Sequence, residues 1–215
     1  MRTSKIPTRE YFEKWYGDRD WNWYRNFVAE GIIYGMPGQW LDVGAGLGLF
    51  VECARRFGIN CIGLEGSEWA VNEAKKRFSD INMRQHFLED KFPFEDNSIS
   101  TITCLQVIEH ISKDTAIFML KECYRILKHD GVLFIHSPNK YNREGRVDKT
   151  HINLYTPSSL IREIENAGFK VIKTPNSTRI VLGNSRIAKK MAGVIFKLFP
   201  FDYLSASANC IAVKH

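Results

Sequence analysis

Three glycines at alternate positions, Gly44, Gly46 and Gly48, constrain this chain more than any other feature. They interrupt the stretch Leu41 to Phe50, LDVGAGLGLF, where one periodicity gives way to another. Ahead of them, Gln39 to Val43 has the apolar character of a buried strand, with Asp42 where that strand should end. Behind them, Leu47, Phe50, Val51 and Ala54 fall on one face at helical spacing. A strand that turns through glycines into a helix lets a ligand approach the backbone without meeting side chains. The stretch therefore predicts the first unit of a nucleotide-type site.

The details of the turn separate the possible ligands. A dinucleotide fingerprint counted from Gly44 needs a glycine at 49, where Leu49 stands. A phosphate-cradling loop needs a Gly-Lys-Ser/Thr ending, and no lysine lies nearby. The pattern present is D-x-G-x-G-x-G, whose leading acid repels a pyrophosphate and attracts a cation. A second acid supports this reading by position. The apolar run Asn60 to Leu64 (NCIGL) ends in Glu65, followed by Gly66 and Ser67. An acid at the end of the second strand, about 20 residues past the glycines, is where such folds grip a ribose diol. Taken alone, Glu65 is equally an exposed loop carboxylate; joined to the glycine turn, the ribose reading prevails.

These residues resemble the class I S-adenosyl-L-methionine (SAM) methyltransferases, whose first motif has the D-x-G-x-G-x-G form. The resemblance implies SAM as cofactor, held by Asp42, Gly44, Ala45, Gly46, Gly48, Glu65, Gly66 and Ser67. It continues downstream. After a helix expected over Ser67 to Phe78 and a third strand over Ile81 to Leu88 come Glu89, Asp90 and Lys91. By the resemblance a carboxylate here accepts the adenine amino group, with Asp90 the nearest match and Glu89 able to replace it; an acidic turn before Pro93 is the plainer alternative. The longest single match is FPFEDNSISTITCLQVIEHI, close to the small-molecule methyltransferases, in which Gln106 and Val107 would line the cofactor pocket. Glu109 and His110 are expected to begin the next helix. Some quinone-type O-methyltransferases hold a divalent metal through E-x-x-E-H at this point. Here Gln106 replaces the first glutamate, one anionic ligand is missing, and no metal is expected.

Composition narrows the class. At 215 residues the chain is expected to form one ordinary domain with a sizeable core. Its 44% hydrophobic and 25% charged residues are those of a soluble globular protein. No apolar run reaches the roughly 20 residues needed to span a bilayer, and Met1 to Glu10 lacks the apolar core of a signal peptide, so a cytoplasmic location is expected. The cysteines at 53, 61, 104, 123 and 210 form no C-x-x-C pair and suit buried thiols better than a disulfide or zinc framework. The net charge of +6 is mild and partly concentrated between Arg179 and Lys197, which favours a solvated basic face over nucleic acid.

Tyr11 to Tyr34 is rich in aromatic residues. One reading is a pair of helices whose aromatics join the core; the other is a lid that closes over the cofactor and excludes water, with Tyr11 or Tyr16 touching the methionine end. Residues 1–36 are accordingly expected to form a helical lid segment, and 37–215 the SAM-binding domain, with 175–205 as a helical insertion before the last strand. Further along, a helix is expected over Asp114 to Leu127, closed by Gly131 in a left-handed cap, then a fifth strand over Val132 to His136 and a polar loop from Lys140 to Thr150. Thr156 and Pro157 should start a helix that ends at Gly168, ahead of a strand over Phe169 to Lys173. Ile187, Met191, Val194, Ile195 and Leu198 share a helical face, giving a basic amphipathic helix over 186–200. It could cover the acceptor pocket, meet a partner subunit in a homodimer, or touch an anionic membrane surface. Ala206 to Lys214 should insert beside the fifth strand.

The phrase H-x-N-x-Y-T-P, beginning at His151, resembles a segment of small-molecule O-methyltransferases whose histidine borders the acceptor. A sulfonium methyl is already activated, so positioning supplies much of the rate, while a hydroxyl acceptor also benefits from a base. His151 is the first candidate for that base and His110 the second; the alternative for His151 is to anchor the loop through backbone bonds. The alternation of strands and helices implies an open α/β sheet of Rossmann-like form, and the resemblance implies seven mostly parallel strands, helices on both faces and an antiparallel last strand. The expected activity is SAM-dependent methylation of a small molecule, at oxygen before nitrogen or carbon. An RNA or protein methyltransferase, a non-catalytic SAM-binding protein and an NAD-dependent oxidoreductase are the rivals.

Overall fold

The computed structural model describes residues 7–15, 21–174, 202, 205 and 207–215. Tyr16 and the amphipathic helix expected over 186–200 lie outside these residues.

The first four strands are β1 (Trp40–Val43), β2 (Cys61–Glu65), β3 (Met83–Gln85), which lies at one edge of the sheet, and β4 (Ile99–Leu105). Every residue of β1, β2 and β4 is buried, which is why these runs read as continuous apolar segments with no polar face. The sheet continues through β5 (Leu127–Pro138), β6 (Lys170–Lys173) and β7 (Ser207–Val213), giving the order β3-β2-β1-β4-β5-β7-β6. Strands β1 to β5 pair in parallel, and β7 runs antiparallel to both β5 and β6. The chain moves outward from β1 to β3, then returns to place β4 on the other side of β1. That reversal opens a crevice beyond the carboxyl ends of β1 and β4, where open α/β sheets bind ligands.

Helices close both faces. Leu41 and Val43 point into a core shared with Ala116, Met119, Leu120, Cys123 and Ile126 of α5 (Lys113–Ile126) and with Leu160 and Ile164 of α7 (Pro157–Asn166). Trp40 points the other way, into a core with Tyr24 and Val28 of α2 (Trp21–Tyr34), Phe50, Cys53 and Ala54 of α3 (Leu49–Arg56) and Val71 and Ala74 of α4 (Glu68–Arg77). The alternation of β1 side chains between these clusters is the period of a strand buried on both sides. Two short helices, α1 (Arg9–Trp15) and α6 (Arg143–Val147), lie near the carboxyl ends of the strands. All five cysteines are free and buried. Among the described residues no helix is long and apolar enough to cross a membrane.

Several boundaries differ from the sequence expectation, each for a local reason. Helix α3 starts at Leu49, because Gly44, Gly46 and Gly48 all take positive φ and hold the backbone out of the helix until Gly48 has capped it. Asp130 takes the left-handed conformation in place of Gly131, whose missing side chain instead allows the Lys128 carbonyl to approach within 2.7 Å of where a Cβ would stand. The fifth strand therefore extends from Leu127 to Pro138. Glu109 and His110 belong to a turn, and the next helix begins after Ser112, whose hydroxyl accepts the Thr115 amide.

Candidate functional site

The crevice at the ends of β1 and β4 is a cleft with three walls. Gly44, Glu65 and Gly66 form the first, Phe87, Leu88 and Glu89 the second, and Val107, His110 and Ile111 the third, with Pro7, Tyr11 and Phe12 across the opening. Gly44 explains the need for glycine in steric terms. Its φ is +72°, and an added Cβ would lie 2.4 Å from Cγ2 of Val107. The turn is held from below, since the amides of Gly44 and Ala45 both donate to the Leu64 carbonyl at 2.9 Å.

Glu65 is buried at the end of β2 and is fixed from two sides. The Gly46 amide donates to its Oε2 at 2.9 Å and the Ser67 amide to its Oε1 at 2.8 Å. Burial raises its carboxyl above the ordinary range, and the amides of Ser67, Gly46 and Gly66 offset part of that rise. Asp42 sits one strand over, between Gly63 and Thr103 in register, and its Oδ1 accepts the Thr103 hydroxyl at 2.6 Å. Burial pushes the Asp42 carboxyl up to about 7 against that hydrogen bond, and the charge of Glu65 adds to the rise. Two buried carboxyls, of which Glu65 raises Asp42, form a pole that a cationic ligand would relieve.

The remaining cofactor candidates fall into distinct places. Glu65, Gly66, Gly44, Val107, Gln106, Glu89 and Tyr11 line the cleft. Gly46 and Ser67 act on it through Glu65, while Ala45 packs under the turn against Gly63 and Gly48 caps α3. Of the acidic pair after β3, Glu89 faces the cleft, whereas Asp90 and its neighbour Lys91 are exposed. Gln106 is held in the left-handed region at φ 60°, and its Nε2 bonds Nδ1 of His136 at 2.7 Å. His136 in turn meets the rings of Trp23 and Phe27 at 5.7 and 5.1 Å.

The third wall contains a group of polar residues that sequence spacing separates widely. The amides of Ile152 and Asn153 donate to the Glu109 carbonyl at 2.9 and 3.1 Å, tying the segment 148–153 to the turn 107–111. His110 then stands between Tyr11, whose hydroxyl is 3.1 Å from Nε2, and Thr150, whose hydroxyl is 3.0 Å from Nδ1. The Thr150 hydroxyl and amide both donate to Oδ1 of Asp148, at 2.6 and 2.8 Å. His151 does not line the cleft. Its ring lies 4.7 Å from that of His110, its Nδ1 bonds the Gly145 carbonyl, and its Nε2 is 3.7 Å from Oδ2 of Asp148. Of the two histidines, His110 is thus the one exposed to a ligand in the cleft. Asp148, Thr150 and His136 were missed as site residues; only the nearness of Asp148 and Thr150 to His151 in sequence could have pointed to them.

Glu109, His110 and His151 bring ligating atoms within 4.8 Å of one another, a spacing an ion could bridge. The E-x-x-E-H arrangement does not fit. Its first position is Gln106, turned toward His136, and both nitrogens of His110 already face hydroxyl groups. The SAM arrangement does fit, with a glycine cradle that a Cβ would block and a buried carboxylate beside it.

Comparison with known proteins agrees with this geometry. A family model described as "Methyltransferase domain" matches residues 24–174. A probable S-adenosylmethionine-dependent methyltransferase of Mycolicibacterium smegmatis is 31% identical over 135 residues, covering 61% of this chain and 50% of that protein. A ubiquinone biosynthesis O-methyltransferase of Actinobacillus pleuropneumoniae is 30% identical over 108 residues, covering 46% of this chain and 45% of that protein. The chain spans about half the length of these curated relatives. In fold it is similar to the crystal structure of a SAM-dependent methyltransferase from Archaeoglobus fulgidus, with a TM-score of 0.70 at 19% identity, covering 95% of this chain and 98% of that one. Glycine turn, crevice and matched relatives together place the chain in the methyltransferase-domain family, among the class I SAM-dependent methyltransferases, with S-adenosyl-L-methionine as its cofactor.

Proposed function

We propose that the chain transfers the methyl group of SAM to a hydroxyl oxygen of a small-molecule acceptor. The observation that carries this reading is that one cleft is lined both by Glu65, a buried carboxyl, and by His110, an imidazole. When bound, SAM supplies a methyl group already activated by its sulfonium. Glu65 would receive the ribose diol, Glu89 the adenine amino group, and the Asp42 and Glu65 carboxyls would favour the cationic end. Gly44 gives the cofactor room against Val107, and the aliphatic and aromatic lining of Val107, Ile111 and Phe87 excludes water from the sulfonium side. Residues 1–36 would act as a lid over the domain 37–215, with Tyr11 and Phe12 as the part that covers the cleft. In-line positioning supplies much of the rate, and an imidazole beside the acceptor adds a route for its proton. The ubiquinone O-methyltransferase relatives support oxygen as the acceptor atom.

Calorimetry with S-adenosylhomocysteine, followed by transfer of labelled methyl from SAM to a panel of phenols, amines and carbon acids, tests the reading in two stages. Affinity for the cofactor product and labelling of phenols are expected. Binding with methylation of amines alone overturns the oxygen acceptor, and absence of binding overturns the reading entirely.

A further inference from the structure

Two histidines face one another beside the cleft, and their hydrogen bonds assign them different tasks. The Thr150 hydroxyl has one hydrogen, and it is given to Asp148 at 2.6 Å. The contact of 3.0 Å between Thr150 Oγ and Nδ1 of His110 therefore needs its hydrogen from the imidazole. A neutral ring with hydrogen on Nδ1 carries its lone pair on Nε2, the nitrogen that meets the Tyr11 hydroxyl at 3.1 Å on the cleft side. In His151 the Gly145 carbonyl can only accept, so Nδ1 again holds a hydrogen, but Nε2 there faces Oδ2 of Asp148 at 3.7 Å, in a side chain only 8% exposed, and not the cleft.

We infer that His110, through Nε2, is the base for the acceptor hydroxyl, with the Tyr11 hydroxyl marking where that hydroxyl would stand, and that Thr150 and Asp148 are positioning residues that hold the imidazole in that tautomer. The inference rests on the oxygen-transfer reading above and adds the direction of the proton. In the step it describes, the acceptor oxygen forms a bond to the methyl carbon and the methyl–sulfur bond breaks with its electron pair passing to sulfur. The acceptor proton moves to Nε2 of His110. The products are the methyl ether, S-adenosylhomocysteine and an imidazolium, which later releases its proton to water. The imidazolium forms beside Glu109 and, through Thr150, beside Asp148, with His151 packed on its ring. Burial alone would raise the Asp148 carboxyl, yet the hydrogen bonds from the Thr150 hydroxyl and amide bring it below its ordinary value, so it is ionised and able to take the Thr150 hydrogen. The arrangement follows a general pattern in which a base is oriented by a third group.

Nitrogen-15 spectra of the free protein at a pH where imidazoles are neutral test the tautomer without any acceptor. His110→Gln identifies the signals by their loss. A protonated Nδ1 and an unprotonated Nε2 are expected for His110, with the Nε2–H form gaining population in Thr150→Val. An Nε2–H tautomer in the unaltered protein overturns the inference, as does a stoichiometric shift of the Nε2 signal on adding Zn2+, which would give that lone pair to an ion. Turnover supplies the second arm. Thr150→Val and Asp148→Asn should lower kcat for p-cresol by about tenfold or more, with the KM for SAM little changed. The loss should shrink for 4-nitrophenol, which ionises without help, and Thr150→Ser should restore kcat. Equal losses along the phenol series would mark Thr150 as merely structural and overturn the inference. Failure to methylate any phenol removes the oxygen-transfer reading instead, and the tautomer spectrum still decides the assignment of His110.

Discussion

At the scale of single residues, the cleft depends on groups with no room to vary. Glu65 accepts two amides and lines the cleft, so Glu65→Ala removes an anchor for the glycine turn and, on the proposed reading, a ligand contact. Hydrogen bonds to charged groups contribute about 1.5–3 kcal/mol, which corresponds to a loss of S-adenosylhomocysteine affinity of roughly tenfold or more, measurable by calorimetry. An unchanged Kd would show that the carboxylate does not touch the ligand. Gly44 makes a steric prediction of a different kind. Gly44→Ala forces a Cβ against Val107 at 2.4 Å and puts alanine at φ +72°, a conformation costing about 1–3 kcal/mol. Adding Val107→Ala should recover the part of the fall in Tm due to the clash and none of the part due to φ. Full recovery would mean that the backbone accepts alanine there without strain. These two positions were legible in sequence because a glycine spacing and a strand-ending acid are local signals. Thr150 was not, because its role arises only when the segment 148–153 is drawn onto the Glu109 carbonyl.

At the scale of elements, local chemistry sets most boundaries. Helix α7 shows the clearest case. Thr156 Oγ1 accepts the Ser159 amide at 3.2 Å, the Ser159 hydroxyl accepts the Thr156 amide at 2.8 Å, and Pro157 follows at the first helical position. The helix lies apart from the cleft and buries Leu160 and Ile164 against the sheet. Thr156→Ala should therefore cost about 1 kcal/mol, a fall in Tm of roughly 2–4 °C for a chain of this size, with affinity for S-adenosylhomocysteine unchanged. A coupled loss of affinity would show that α7 supports the cleft after all. Elements with strong caps lie within a residue or two of the sequence expectation: α4 and α7 start next to Ser67 and Thr156, the caps expected for them. Strand β3 was overestimated because only Met83 of its three residues is buried, so pairing with β2 ends as soon as the chain turns to Phe87 and Glu89 to build the cleft. The sequence predicts a polar loop where α6 forms, since five residues between polar turns carry no recognisable period.

At the scale of the whole molecule, the Asp42 and Glu65 pole couples folding to pH. Both carboxyls are raised in the folded protein, Asp42 to about 7, and both titrate at ordinary values when the chain unfolds. In the interval between those values the folded state binds more protons than the unfolded state, so stability falls as pH rises. The contribution is complete below the unfolded value near 3.8 and is lost as pH passes through about 7. A cationic cofactor in the cleft opposes this, because it favours the ionised pole and so binds better as pH rises through the same window. Thermal unfolding of the free and SAM-saturated protein between pH 5 and pH 8 should then show the free protein losing Tm faster than the complex, so that the ligand-induced increase in Tm widens with pH. Asp42→Asn removes the larger titration while keeping the shape of the side chain and a group able to face Thr103, and it should flatten the free protein's slope and narrow the widening. Other carboxyls and histidines contribute equally to variant and parent, so the difference between the two slopes isolates the pole. If the slopes coincide, Asp42 is ionised in the free fold despite its burial, and the attraction of the cleft for a sulfonium must come from Glu65 and the turn alone.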